Sequence, residues 1–249
     1  MKRKMIKKIL LDTCVITRIY YFQFRDQIAR FLFFGFLIPA GVYYVANAST
    51  RRDPALRLRF FTASILLSFS MLTIMWLGTI LVEDRFYGRL KLLMTTPISR
   101  TSYVLGILGY DYMLGLMTSS GFILVSYLFE IEVQLNLLNV IILVLLTLSS
   151  FTGISIIVSQ QAKNLQAGTV LADSTSICLI FFAPVFYPLD ELPKAMQYAT
   201  SLLPTTYAAD GIAKSLSGKG GAGMDMLALL LFSFVALFTA IRSLRWRDF

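Results

Sequence analysis

The 249-residue sequence has no histidine and only two cysteines, Cys14 and Cys178. Without imidazole, the commonest general base and the commonest metal ligand are both missing. The two cysteines are far apart, one in a basic amphipathic stretch and the other in an apolar run, so neither a disulfide nor a metal cluster is expected. No HExxH or GxSxG occurs, and Gly218-Lys-Gly-Gly221 lacks the GxxxxGK[ST] spacing of a phosphate loop. Catalysis and ATP hydrolysis by this chain are therefore not expected, nor is a cofactor site of its own. Charge is also scarce. Charged residues make up 15% and hydrophobic ones 57%, with a mean hydropathy of +0.70. A soluble domain is roughly half apolar and a quarter charged. No core that 249 residues can build hides such an excess, which leaves lipid as the solvent. The net charge of +9 then points to anionic headgroups rather than nucleic acid.

What is present is a series of long apolar segments, at about 31–48, 60–82, 103–129, 137–159, 166–186 and 224–243. They predict an all-α integral membrane fold with six transmembrane helices in a single domain over residues 1–249. With the N-terminus inside, the inner pieces hold sixteen Lys/Arg and the outer pieces seven. That bias predicts a multi-pass protein of the cell (plasma) membrane with both termini cytoplasmic. Four arginines between 49 and 59 oppose it, and the N-terminal excess decides.

Residues 1–30 combine eight basic side chains with an apolar row, Ile6, Ile9, Leu10, Ile16, Tyr20, Phe24 and Ile28. This is the pattern of an amphipathic helix lying in the membrane surface, in contact with lipids. Charges interrupt the run and no small-residue cleavage site follows, unlike a signal peptide. Between the second and third spans, residues 83–101 place Phe86, Leu90 and Leu93 at helical spacing among charges, and Pro97 ends the turn. A short cytoplasmic helix tied to a span at each end suits docking of a partner protein. Between the fifth and sixth spans, residues 184–213 carry Pro184, Pro188, Pro193 and Pro204 among apolar residues. Four prolines break any continuous span, so a re-entrant helical hairpin in the outer leaflet is expected.

Two acids, Asp111 and Asp173, lie within apolar spans. A mid-membrane acid costs ~2.5–3.5 kcal/mol on insertion scales and commonly faces a cavity or a partner. Both lie ~10–12 Å in from the cytoplasmic side at 1.5 Å per residue, one acidic level suited to a cationic amphiphile. The competing reading is that each accepts hydrogen bonds from neighbouring Ser, Thr or Tyr, or pairs with a basic side chain. Phe31, Phe33, Phe34, Phe36, Tyr43 and Tyr44 suit an interfacial belt better than a substrate route. Ser64/Ser68 and Ser149/Gly153 have the small-xxx-small spacing of close helix contacts.

Glu83-Asp-Arg-Phe-Tyr-Gly-Arg-Leu, then Leu-Leu-Met-Thr-Thr-Pro-Ile-Ser-Arg100 and Leu105-Gly106, resemble the signature of type-2 ABC transporter permeases. Ala183-Pro-Val-Phe-Tyr-Pro-Leu-Asp-Glu-Leu-Pro193, with Leu203-Pro-Thr-Thr-Tyr207 and Asp210-Gly-Ile212, is similar to that family's external hairpin and includes Tyr187. Arg89-Leu90-Lys91 departs from the small polar residue, leucine and acid often found there. The resemblance implies a permease subunit paired with a second permease, expected as a homodimer, and with two copies of a cytosolic ABC ATPase that bind ATP and Mg. It makes 83–97 the coupling helix, with Glu83, Asp84, Arg85, Phe86, Gly88, Leu90, Leu93, Pro97 and Arg100 as coupling residues. It also sets the basic helix near the same ATPase. Outward export of a drug-like or lipidic amphiphile is the expected function. Export of a polysaccharide or lipid-linked glycan, and a passive channel or membrane scaffold, are the alternatives.

Overall fold

A computed structural model describes residues 2–49, 53–128, 136–186, 192–218 and 220–244. Among the described residues every regular element is helical. The chain opens with α1 (Lys2–Arg25). A long helix comes next in three pieces: α2 (Ile28–Leu32), a π segment at Phe33–Leu37, and α3 (Ile38–Ser49). The next long helix repeats that pattern with α4 (Pro54–Ser70), a π segment at Met71–Leu77 and α5 (Gly78–Phe86). Then come α6 (Arg89–Met94), α7 (Arg100–Leu128), α8 (Leu137–Gln161) and α9 (Leu165–Phe181). The series ends with α10 (Lys194–Thr200), α11 (Pro204–Leu216) and α12 (Gly223–Ser243).

Helix starts obey local chemistry. Asp53 accepts the amides of Ala55 and Leu56 ahead of Pro54 in the first turn of α4. Asn164 accepts that of Ala167 at 2.7 Å to start α9, and Pro204 opens α11. Each satisfies or dispenses with amides that have no intrahelical partner.

Among the described residues, four helices are long and apolar enough to cross a membrane: Ile28–Ala48, Pro54–Phe86, Leu137–Gln161 and Gly223–Ser243. The other two expected spans fall short in different ways. α7 has the length, 29 residues, but its tyrosines, serines, glycines and Asp111 dilute its hydropathy. α9 is apolar but has only 17 residues, below the ~20 of a perpendicular span.

Pro54–Phe86 and Leu137–Gln161 are central, with 83% and 61% of their most apolar stretch buried, against 22% for each of the other two. α8 runs along α12, and α1 along α7. One apolar core, with Phe61, Phe69, Phe122 and Phe151, fills the α11 end of the bundle. A second, with Trp76, Leu90, Tyr103 and Leu114, fills the α6 end. The first π segment is tied to α4 where Ser68 Oγ donates to the Gly35 carbonyl at 2.7 Å. Such local widening of a helix re-aims neighbouring side chains.

The apolar row expected on α1 divides in two. Ile16, Tyr20 and Phe24 are buried, while Leu10 is exposed together with Leu11, Val15, Ile19 and Phe22. Gly106 of α7 makes the close fit possible, because a Cβ there overlaps Ile16. Thr17 Oγ1 donates to the Gly106 carbonyl at 2.9 Å beside it. α1 is therefore a docked element of the bundle, with a second apolar face left outward.

Candidate functional site

The α5–α7 connection is built from three consecutive residues that reach in two directions. Glu83 and Asp84 both face Arg89, the first residue of α6, with N–O separations of 3.7 and 2.8 Å. Asp84 is 4% exposed, so its charge needs compensation there. Its Oδ2 accepts a 2.6 Å hydrogen bond from the Tyr20 hydroxyl of α1, which lies 3.3 Å from the Tyr103 hydroxyl of α7. Its Oδ1 takes no aligned hydrogen bond, so the adjacent guanidinium charge is what stabilises it. Burial, then Tyr103 and Asp84, hold the Tyr20 phenol well above its ordinary ionisation range, so it stays a donor at neutral pH.

Arg85 turns the other way. Its Nη1 donates to the carbonyls of Ser159, Gln160 and Ala162 at 3.1, 2.8 and 3.0 Å. Those carbonyls close the C-terminal end of α8, where a cation is favoured.

Gly88 sets the direction of α6. Its φ of 80° is a left-handed conformation that ends α5 and starts α6 on a new axis. Phe86, Leu90 and Leu93 therefore do not form one row. Phe86 ends α5 and is exposed; Leu90 is 4% exposed and packs in the core at the α6 end, the lower core; Leu93 packs at the edge of that core. The outward apolar face is Phe86, Tyr87 and Leu92, at 40%, 65% and 70% exposure. Tyr87 and Leu92 escape the periodicity because it runs through Gly88; the glycine, between two charged turns, is the signal that was there to use. Thr95 and Thr96 hydroxyls return to the Leu92 and Leu93 carbonyls at the end of α6. Pro97 is exposed in the turn. Ser99 Oγ accepts the Ser102 amide at 3.0 Å, capping α7 just before Arg100.

The two acids have different surroundings. Asp111 is fully buried, and its oxygens accept from Thr73 and Thr152 at 2.8 and 2.7 Å. The π segment carrying Thr73 and helices α7 and α8 thus meet on one carboxylate. Asp173 is half-buried on α9, near the exposed Ser174 and Cys178, and has no hydrogen-bond or ion-pair partner among the described residues.

At the opposite end, Pro184 is buried and its carbonyl accepts from Arg59 at 2.8 Å. Arg59 also faces Asp210 of α11 at 3.9 Å. Pro193 precedes α10, and Thr206 of α11 returns a 2.6 Å hydrogen bond to the Thr200 carbonyl. Tyr187 and Pro188 lie outside the described residues. A cavity of about 510 Å³ separates α9 from α10, lined by Thr175, Cys178, Phe182, Met196 and Leu203 among others.

Residues 5–216 match the family model of the ABC-2 type transporter. The chain belongs to that family and is a type-2 ABC transporter permease, a membrane protein with several apolar helices. It is 26% identical over 183 residues to the linearmycin resistance permease protein LnrN of Bacillus subtilis (strain 168), covering 71% of this chain. The match covers 47% of that protein, so the chain spans about half the length of this relative.

Proposed function

We propose that the chain is the membrane subunit of an ATP-driven exporter of a drug-like or lipidic amphiphile. The connection at 83–101 is its seat on a cytosolic ATPase, which binds ATP and Mg. Two such ATPases serve a permease pair, expected as a homodimer, in the plasma membrane. On this reading α7 and α9 also cross the membrane, making six spans with both termini cytoplasmic, and α10 and α11 form a re-entrant hairpin in the outer leaflet. The observation that carries the proposal is the exposed Phe86–Tyr87–Leu92 face on a segment braced by the Arg89–Asp84 ion pair, whose carboxylate is buried. An apolar patch left uncovered by the described residues, on a support anchored to the core by Leu90 and Asp84, suits a partner that pushes.

Of the two acids, Asp173 fits the substrate route. It stands half-exposed on a helix whose outer face mixes Ser174 and Cys178 with Val170, Ile177 and Phe181, whereas the outer face of α12 is apolar. A mixed face suits a pathway or a second subunit better than lipid. The resistance function in the name of the bacillary relative supports export of a toxic amphiphile. Asp111, with both oxygens engaged by threonines, is read as a packing residue.

The test is co-purification with the ATPase encoded beside its gene. Tyr87→Asp with Leu92→Asp should abolish association while the permease keeps its thermal stability. Wild-type association and transport in that variant would remove the docking assignment.

A further inference from the structure

The two elements that carry the chain's basic and handle-like features are joined through one carboxylate. α6 has six residues, far too few to hold a helix on its own. Its orientation therefore depends on what fixes its first turn. Leu90 plugs into the lower core, and Arg89 is drawn to Asp84 at 2.8 Å. Asp84 is in turn fixed from the other side by Tyr20 at 2.6 Å, a charge-assisted bond of the strong class. The α1 helix thus touches the residue that sets the angle of α6.

We infer that Tyr20, Asp84 and Arg89 form a clasp that makes α1 and the α6 handle one mechanical body, with Tyr20 the positioning residue. The inference rests on the exporter reading for its consequence, since the handle is what an ATPase would move. α1 carries Lys7, Lys8, Arg18 and Arg25 and an outward row of Leu11, Val15, Ile19 and Phe22. A body seated in the headgroups on one side and on the ATPase on the other tilts as a lever. A handle free of α1 would flex at Gly88 instead, dissipating the stroke. Packing at Ile16 and Gly106 holds α1 against α7, and α1 shares an apolar core with Leu90 of α6; the directional link to the first turn of α6 is the Tyr20 hydroxyl, through Asp84 and Arg89.

Tyr20→Phe removes the link and keeps the ring. Spin labels on the native Cys14, exposed on α1, and on Leu92→Cys report the α1–α6 distance in nanodiscs, with Cys178→Ser and dilution by unlabelled chain. The wild type should give one narrow distance. In Tyr20→Phe the population outside it should rise about tenfold or more, the factor expected for a hydrogen bond to a charged group. Substrate moved per ATP hydrolysed should fall severalfold while ATPase association persists. Asp84→Asn keeps an acceptor for Tyr20 but releases Arg89. Adding Tyr20→Phe to it should cost little more, because both act through one linkage. A Tyr20→Phe protein with the wild-type distance width and transport per ATP overturns the clasp. Failure of any ATPase to bind the wild type removes the lever's function and the exporter reading together, whereas the distance widths still decide whether the clasp exists.

Discussion

Asp111 shows how a fully buried acid is made tolerable with no counter-charge among the described residues. Two threonine hydroxyls from different helices occupy its two oxygens. Thr152→Val should destabilise the protein by about 1–3 kcal/mol, the cost of a buried acceptor left unpaired, seen as a lower midpoint of thermal unfolding in detergent. Asp173→Asn should stay within about 0.5 kcal/mol of wild type, since no described partner is lost, yet reduce export of a cationic dye severalfold. Equal stability losses at both positions, with unchanged export, would refute the distinction between them. The sequence showed that both acids lay in apolar runs at similar depth. It did not show that only Asp111 meets two threonines, because those come from positions 38 and 41 residues away.

Among the elements, the α5–α6 corner and the α1–α7 pairing matter most. The corner turns on Gly88, whose positive φ an Ala can adopt only with strain. Gly88→Ala should weaken ATPase association more than it lowers the unfolding temperature, measured on the same preparation. Leu90→Asp should do the reverse and destabilise the whole lower core, because that side chain is buried and not part of the docking face. The α1–α7 pairing depends on a close approach at Gly106. Gly106→Val should cost about 1–3 kcal/mol by overpacking and raise hydrogen exchange across residues 7–25; unchanged exchange there would show that α1 is held some other way. The helical character of 83–101 was legible from its spacing. The division of its apolar residues between a core anchor and an outward face was not, since it depends on a change of axis that no single-helix periodicity encodes.

At the scale of the molecule, the helices differ in what they turn outward. α12 presents Met224, Leu227, Leu231, Phe234 and Val235, as a lipid-facing helix does, while α9 presents a mixture that includes Asp173 and Cys178. If α9 faces a second copy, Cys178 of two chains should be joined by a short bifunctional maleimide in membranes, with Cys14 replaced by serine. A dimer band is the expected product, and monomer alone would count against this placement.

What the sequence determined by itself is the solvent, the helical class and the family resemblance. Hydropathy and run length are local sums, and the motif at 83–101 is contiguous. The tertiary structure decided which apolar residues are core and which are contact surface, which acid is satisfied, and that α1 reaches the handle through Tyr20 and Asp84. Those are relations between residues distant in the chain, 38 and 41 positions apart at Asp111 and 64 at the Tyr20–Asp84 bond, set by helix packing and a glycine-driven change of direction.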